Sequence, residues 1–235
     1  MELAAFAVAL SAAIVSLILT PLIRGAAIKF NFVDKPGERK IHDRDIAYGG
    51  GIAVACALGI TLLVALPSVE GMAINKAKDD LTPPEFLILG LGGLGALLLG
   101  LYDDKFKLSP WTKLAAQFVL AIGAVAGGVR ITAFIGDGPF MQCVTVLWIV
   151  LITNSFNLLD NMDGLCSGIA AISSGVLMLV SMDGHQWALM LALAALCGAC
   201  LGFLRYNRSP AANFLGDAGS LSIGFLIEFD KEMVK

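Results

Sequence analysis

The chain has 235 residues, of which 57% are hydrophobic and only 15% charged, with a formal net charge of −3. A soluble domain is nearer half apolar and a quarter charged, so disordered, collagen-like, coiled-coil and secreted disulfide-scaffold classes are excluded. No excess of basic charge is available for nucleic acid.

Uncharged, mostly apolar runs cover 3–23, 46–69, 86–102, 114–129, 138–159, 164–182 and 184–204. About 20 such residues span the hydrocarbon core as a helix. The predicted fold class is therefore an all-α polytopic membrane protein. Seven transmembrane helices are expected, and a partial eighth at 218–227, in a single domain over 1–235. The first run has only Glu2 before it and is longer than a signal-peptide core, so it reads as a spanning helix with its N-terminus outside. Alternating the runs divides the loops into two sets carrying eleven and three Lys/Arg residues, and the richer set is assigned to the cytoplasm. The external segment 130–139, with Ile131, Thr132, Phe134 and Ile135 before a Gly136-Asp137-Gly138-Pro139 turn, is compatible with a short periplasmic β-hairpin.

The first cytoplasmic loop holds Asp34, Arg39, Lys40 and His42 and ends in Gly49-Gly50-Gly51. Its cations can neutralise a phosphorylated ligand and its glycines allow close backbone approach, although a positive-inside anchor would look similar. Asp103-Asp104 closes the third run. Adjacent carboxylates repel, so the pair suits a divalent metal, a relieving lysine or a general base. Gly90-Leu91-Gly92-Gly93-Leu94-Gly95 has the dinucleotide spacing but lies inside an apolar run. Gly92, Ala96 and Gly100 read instead as a small-residue packing face, as do Gly123/Gly127 and Gly198/Gly202. Cys197 and Cys200 are read as packing residues rather than a metal or redox pair.

Across the end of the fifth run come Asn154, Asn157, Asp160 and Asp163, spaced by three. Amide and carboxylate oxygens without thiolate or imidazole suit a hard cation, Mg²⁺ or Mn²⁺. A helix cap at Asp163 is the simpler alternative. The last motif runs from Asn207 to Ser220, with Asp217 and Ser220 at the start of the eighth run, where backbone N–H groups can meet phosphate or a side chain can cap the helix. Five carboxylates (103, 104, 160, 163, 217) thus converge on one membrane face beside a basic loop.

Taken in order, the 34–42 run with its glycines, Asp103-Asp104 with Lys113, the 154–165 motif and Pro210-Ala211…Phe214…Gly216-Asp217…Gly219-Ser220 resemble the polyprenyl-phosphate N-acetylhexosamine-1-phosphate transferases. That family includes phospho-N-acetylmuramoyl-pentapeptide transferase. The resemblance implies transfer of a sugar-1-phosphate, GlcNAc-1-phosphate in the simpler branch, from a UDP-sugar to undecaprenyl or another polyprenyl phosphate, with release of UMP. It implies a bacterial cytoplasmic membrane, a role in cell-envelope polysaccharide initiation, and Mg²⁺ (or Mn²⁺) held by Asn157 and Asp217. Asp103, Asp104, Asp160 and Asp163 would be catalytic. Lys113, Arg39, Lys40, His42, Asn154 and Ser220 would bind substrate. The implied partners are the UDP-N-acetylhexosamine, the lipid phosphate and the membrane, with a homodimer compatible. Because family members continue through further helices and a histidine-containing loop, the chain is expected to be truncated at its C-terminus. The rival enzyme is an intramembrane aspartyl protease using Tyr102-Asp103 and Gly216-Asp217, which leaves Asp160, Asp163, Asn157 and the basic loop unused. A transporter would use the acids for cation coupling but expects them near the midplane, and the third alternative is an inactive fragment.

Overall fold

A computed structural model describes residues 2–36, 45–73, 83–129, 138–184 and 186–227, without side chains for 66–73 and 83–86. Within them the chain forms α1 (Glu2–Lys29), β1 (Val33–Asp34), β2 (Ile46–Tyr48), α2 (Gly50–Ala73), α3 (Pro83–Phe106), α4 (Pro110–Ala126), α5 (Pro139–Leu159), α6 (Leu165–Asp183), α7 (Trp187–Asn207), β3 (Asn213–Phe214) and α8 (Gly216–Ile227). Five helices are long and apolar enough to cross a membrane: α1, Leu87–Phe106 of α3, α5, α6 and α7. The apolar part of α2 (Gly50–Ala65), α4 and α8 are shorter. The chain is a multi-pass membrane protein. The predicted hairpin at 130–139 and the cations Arg39, Lys40 and His42 fall on segments outside the described residues, apart from Gly138, the N-cap of α5, and Pro139, its first residue.

The helices bury small residues and turn large apolar ones outward, the arrangement expected where lipid replaces water. In α1 the buried positions are Ala5, Val8, Ala12, Ser16, Thr20 and Ala27, while Leu3, Phe6, Leu10, Ile14 and Leu22 are exposed. That small stripe meets α7, where a Cβ on Gly198 or Gly202 would strike the Ala9 or Ala13 carbonyl. The predicted face on α3 also packs as expected. Added carbon at Gly92 would meet the Phe225 ring, and at Gly100 the backbone of Asp217 and Ala218. Gly127 packs on Ile88, but Gly123 has open space beside it, so that pair is not a continuous face.

Two helices form the interior. α7 packs on α1, α2 and α6, and α8 packs on α2, α3 and α5. From Ala218 through Phe225 every residue of α8 is buried, so the expected partial span is a core element. The 46–69 run proves to be composite: Ile46–Tyr48 is a strand and the helix starts at Gly50. β2 pairs antiparallel with β1 (Val33↔Ala47, Asp34↔Ile46) and parallel with β3 (Ala47↔Asn213, Tyr48↔Phe214). This small sheet joins the loop after α1 to the loop after α7. Gly50 and Gly51 serve the same junction: a Cβ on Gly50 would meet the Phe203 ring and Phe214 carbonyl, and on Gly51 the Gly219 backbone. They pack protein against protein, which is a correction to their expected approach to a ligand.

Candidate active site

The loops after α1, α3, α5 and α7 meet at one end of the bundle. Lys107 lies over the Tyr48 ring at 5.2 Å, Ala211 donates its N–H to Asp163 Oδ2 at 2.9 Å, and Arg24 Nε donates to the Ala212 carbonyl at 2.9 Å. At this end the acidic motifs come together around one cation.

That cation is Lys113, one turn into α4. The helix starts where it does because Ser109 is its N-cap, accepting the Thr112 N–H at 3.2 Å, with Pro110 at the first helical position. Lys113 Nζ donates to Asp103 Oδ2 at 2.9 Å, Asp217 Oδ2 at 2.8 Å and Asn157 Oδ1 at 2.9 Å. Three helices, α3, α8 and α5, therefore each present one oxygen to one ammonium. Asn157 Nδ2 donates to Asp217 Oδ1 at 2.6 Å and to Ser220 Oγ at 3.0 Å. Asp103 Oδ1 accepts the Leu108 N–H at 2.7 Å, and its carboxyl lies within hydrogen-bonding reach of that of Asp217.

The adjacent acids part company here. Asp104, only 7% exposed, accepts the backbone N–H of Asp217 at 2.9 Å and of Ala218 at 3.1 Å. The first N–H groups of a helix have no internal partner, and α8 has these two satisfied by a carboxylate on α3. Gly216 makes the close approach possible. It has φ +75°, and a Cβ there would lie 2.7 Å from Asp104 Oδ2.

Asp160 follows the end of α5 and accepts a backbone hydrogen bond from Gly216. Burial, then the negative field of Asp217 and Asp104, pushes its carboxyl up to about 8; the Gly216 N–H acts in the opposite sense. Asp163 is exposed, and its bond to Ala211 ties the α5–α6 loop to the α7–β3 segment. It is not the cap of α6, because Gly164, at φ 74°, occupies that position. Nor does Ser220 cap α8: its Oγ accepts from Asn157 while Asp104 caps from α3. Asn154 stands apart from the cluster, its Nδ2 donating to Gln117 Oε1 at 2.5 Å and to the Val150 carbonyl at 2.7 Å. The structure thus brings Asp103, Lys113, Asn157, Asp217 and Ser220 into one network, with Asp104 and Asp160 joined to it through the Gly216–Ala218 backbone.

Three residues were given no role by sequence reasoning, although Asn207 opens the last motif. Tyr48 stands between Phe32 and Phe214, with ring centroids 5.8 and 6.1 Å away. Burial, a hydrogen bond with Asp34 and nearby negative charge push its phenol up. Asn207 is buried, accepting the Gly164 N–H at 3.1 Å and the Ser167 hydroxyl at 2.7 Å, and donating to the Asn213 carbonyl at 3.2 Å. Gln117 is the third. Its signal was present: it is the one amide in the apolar run 114–129, four residues after Lys113.

Among the described residues no three His, Cys, Asp or Glu side chains form a ready metal cage. The donors at the centre are two carboxylates and one amide oxygen, already converging on a cation. Mg²⁺ is ordinarily held by one or two carboxylates together with waters and substrate phosphate, so this set fits a hard divalent ion.

The sequence model of glycosyl transferase family 4 matches residues 86–229. The chain is 34% identical over 221 residues to the probable undecaprenyl-phosphate N-acetylglucosaminyl 1-phosphate transferase of Bacillus subtilis, covering 90% of this chain and 58% of that protein. It is 32% identical over 212 residues to the undecaprenyl-phosphate alpha-N-acetylglucosaminyl 1-phosphate transferase of Thermotoga maritima, covering 90% and 60%. With the phospho-N-acetylmuramoyl-pentapeptide-transferase of Bacillus pumilus it shares 33% identity over 196 residues, covering 74% and 57%. The chain thus spans less than two thirds of the length of these curated relatives.

Proposed function

The chain belongs to glycosyl transferase family 4, and on that premise we propose that it transfers N-acetylhexosamine-1-phosphate from a UDP-sugar to a polyprenyl phosphate. The sugar is GlcNAc and the lipid undecaprenyl phosphate, as in the names of two of the relatives. The site lies at the cytoplasmic face of a bacterial inner membrane and starts a cell-envelope polysaccharide. Seven spans with the N-terminus outside put the α3–α4, α5–α6 and α7–α8 connections on that face.

The observation that carries the reading is the Lys113 ammonium bound by Asp103, Asp217 and Asn157. Phosphoryl transfer needs positioning and charge neutralisation more than covalent help from the protein. An oxygen of the lipid phosphate bonds to the phosphorus that carries the sugar. The bond from that phosphorus to the bridging oxygen breaks, and UMP leaves with the electron pair. Mg²⁺, or Mn²⁺, bound by Asn157 and Asp217 with Asp103 beside them, would supply further neutralisation of the diphosphate. Lys113 exchanges a carboxylate for a substrate phosphate oxygen. Asp103, released from the ammonium, accepts the proton of the lipid phosphate and so frees its oxygen to attack. Asp104 acts through α8 and is a positioning residue. Asp160, Asp163 and Ser220 serve the nucleotide and sugar, and Arg39, Lys40 and His42 serve to neutralise the phosphates.

The protease reading is disfavoured by the same contact. A protease dyad shares one proton between two carboxyls, whereas here an ammonium joins both Asp103 and Asp217. The test is release of UMP from UDP-GlcNAc in membranes, with undecaprenyl phosphate and with or without Mg²⁺. Release that requires both additions, and that Asp217→Ala abolishes, supports the reading. Release indifferent to the lipid phosphate or unchanged in Asp217→Ala contradicts it.

A further inference from the structure

α4 is a peripheral helix. It packs on α3 and α5, and Trp111, Val119 and Ile122 on its other side are exposed. Apolar packing alone fixes such a helix poorly in lipid, because the acyl chains are as apolar as its neighbours; interhelical hydrogen bonds supply the register. Two side-chain bonds link α4 to α5. The first is Lys113 to Asn157 at 2.9 Å, and the second, one turn deeper, is Asn154 to Gln117 at 2.5 Å. In the proposed reaction the first must change, since Asn157 is there assigned to the divalent ion while Lys113 turns to substrate phosphate.

From this we infer that Gln117 and Asn154 form a permanent clasp that keeps α4 in register on α5 while Lys113 changes partners. The inference rests on the proposed transferase reading for its role in turnover, but the clasp itself can be tested without it. Gln117 is 3% exposed, and its Nε2 meets no protein acceptor. It lines a small cavity of about 10 Å³ together with Leu99, Thr153, Leu221 and Phe225. Met is unbranched and close to Gln in length, so Gln117→Met removes the acceptor for Asn154 without crowding the helices. Both residues are positioning residues, acting through the placement of Lys113 and Asn157.

The experiment uses the full chain in membranes, as wild type, Gln117→Met, Asn154→Ala and the double variant. The deciding readout is acylation of Lys113 by an amine-reactive reagent, followed at that residue by mass spectrometry. An ammonium held by three oxygens and 14% exposed labels slowly; loss of the clasp raises the rate about threefold or more in either single variant. The kcat for UMP release falls about tenfold in each single variant and no further in the double, as for two residues acting as one unit. Labelling at the wild-type rate in both single variants overturns the clasp whatever the activity. Raised labelling with kcat losses that multiply in the double variant overturns the shared unit. A wild-type chain that releases no UMP counts against the transferase reading, while the labelling comparison still decides the clasp. If one single variant does not accumulate, the other carries the test.

Discussion

Replacing Asp104 by Ala removes the acceptor of two consecutive backbone N–H groups at the start of α8. Those groups belong to Asp217 and Ala218, bonded at 2.9 and 3.1 Å. Asp104 is 7% exposed and Ala218 2%, so water cannot readily replace the carboxylate. Each orphaned N–H costs about 1–3 kcal/mol, and the relief of desolvating a carboxylate returns part of that. A net loss of about 2–4 kcal/mol follows, set against a native stability of about 5–15 kcal/mol. Asp103→Ala is the natural comparison. It removes one of three oxygens from Lys113 and leaves Asp217 and Asn157 in place, so its stability cost is smaller even though its activity is lost. Detergent-solubilised variants should be compared by thermal unfolding monitored by size-exclusion fluorescence, alongside UMP release. The expected order of thermal stability is wild type, Asp103→Ala, then Asp104→Ala clearly lowest, with both variants inactive. An Asp104→Ala protein as stable as wild type would refute the capping account and return Asp104 to the chemistry.

Lys113→Met should lower the yield of folded protein, because Asp103 and Asp217 are then left facing each other without their cation; adding Asp103→Asn should restore yield but not activity, read by solubilised amount and UMP release. The Asp160 carboxyl, raised from 3.8 to about 8, predicts a pH dependence of stability. A group whose folded pKa is raised contributes fully below its unfolded value near 4, and that contribution is lost as pH rises toward 8. Melting temperature should therefore decline over that window in wild type and more weakly in Asp160→Asn. Gly216→Ala should destabilise by about 1–2 kcal/mol, since it combines positive φ with contact against Asp104 Oδ2, whereas Gly25→Ala, with open space at its Cβ, should be neutral or stabilising.

The membrane class and the approximate places of the helices were legible because apolar runs and charged loops directly report what contacts lipid. That 103, 104, 160, 163 and 217 gather at one end, with Lys113 among the cations there, was legible through loop alternation. What each acid does was not. Asp103 and Asp104 are neighbours in sequence, but a helix turns successive side chains by roughly 100°, so one reaches Lys113 and the other reaches α8. Nor did the sequence distinguish α8 from a shortened span: an apolar helix reads alike against lipid or protein. Its role follows from Gly51, Gly100 and Gly224, which let α2, α3 and α5 come close to it. Asn154 and Asn157 share a spacing with Asp160, yet Asn154 faces α4 below the charged centre, because three residues fall short of a full turn and the depth differs by most of one.

The most direct measurement uses UDP-GlcNAc labelled at the β-phosphorus, the one that carries the sugar. It is incubated with the membrane-embedded chain, undecaprenyl phosphate and Mg²⁺, and lipid and nucleotide fractions are counted. The account predicts label in the lipid fraction, unlabelled UMP as co-product, and loss of both when Mg²⁺ is chelated or Lys113 is replaced by Met. Label remaining in UDP while unlabelled sugar reaches the lipid, or transfer that persists in Lys113→Met, would contradict it.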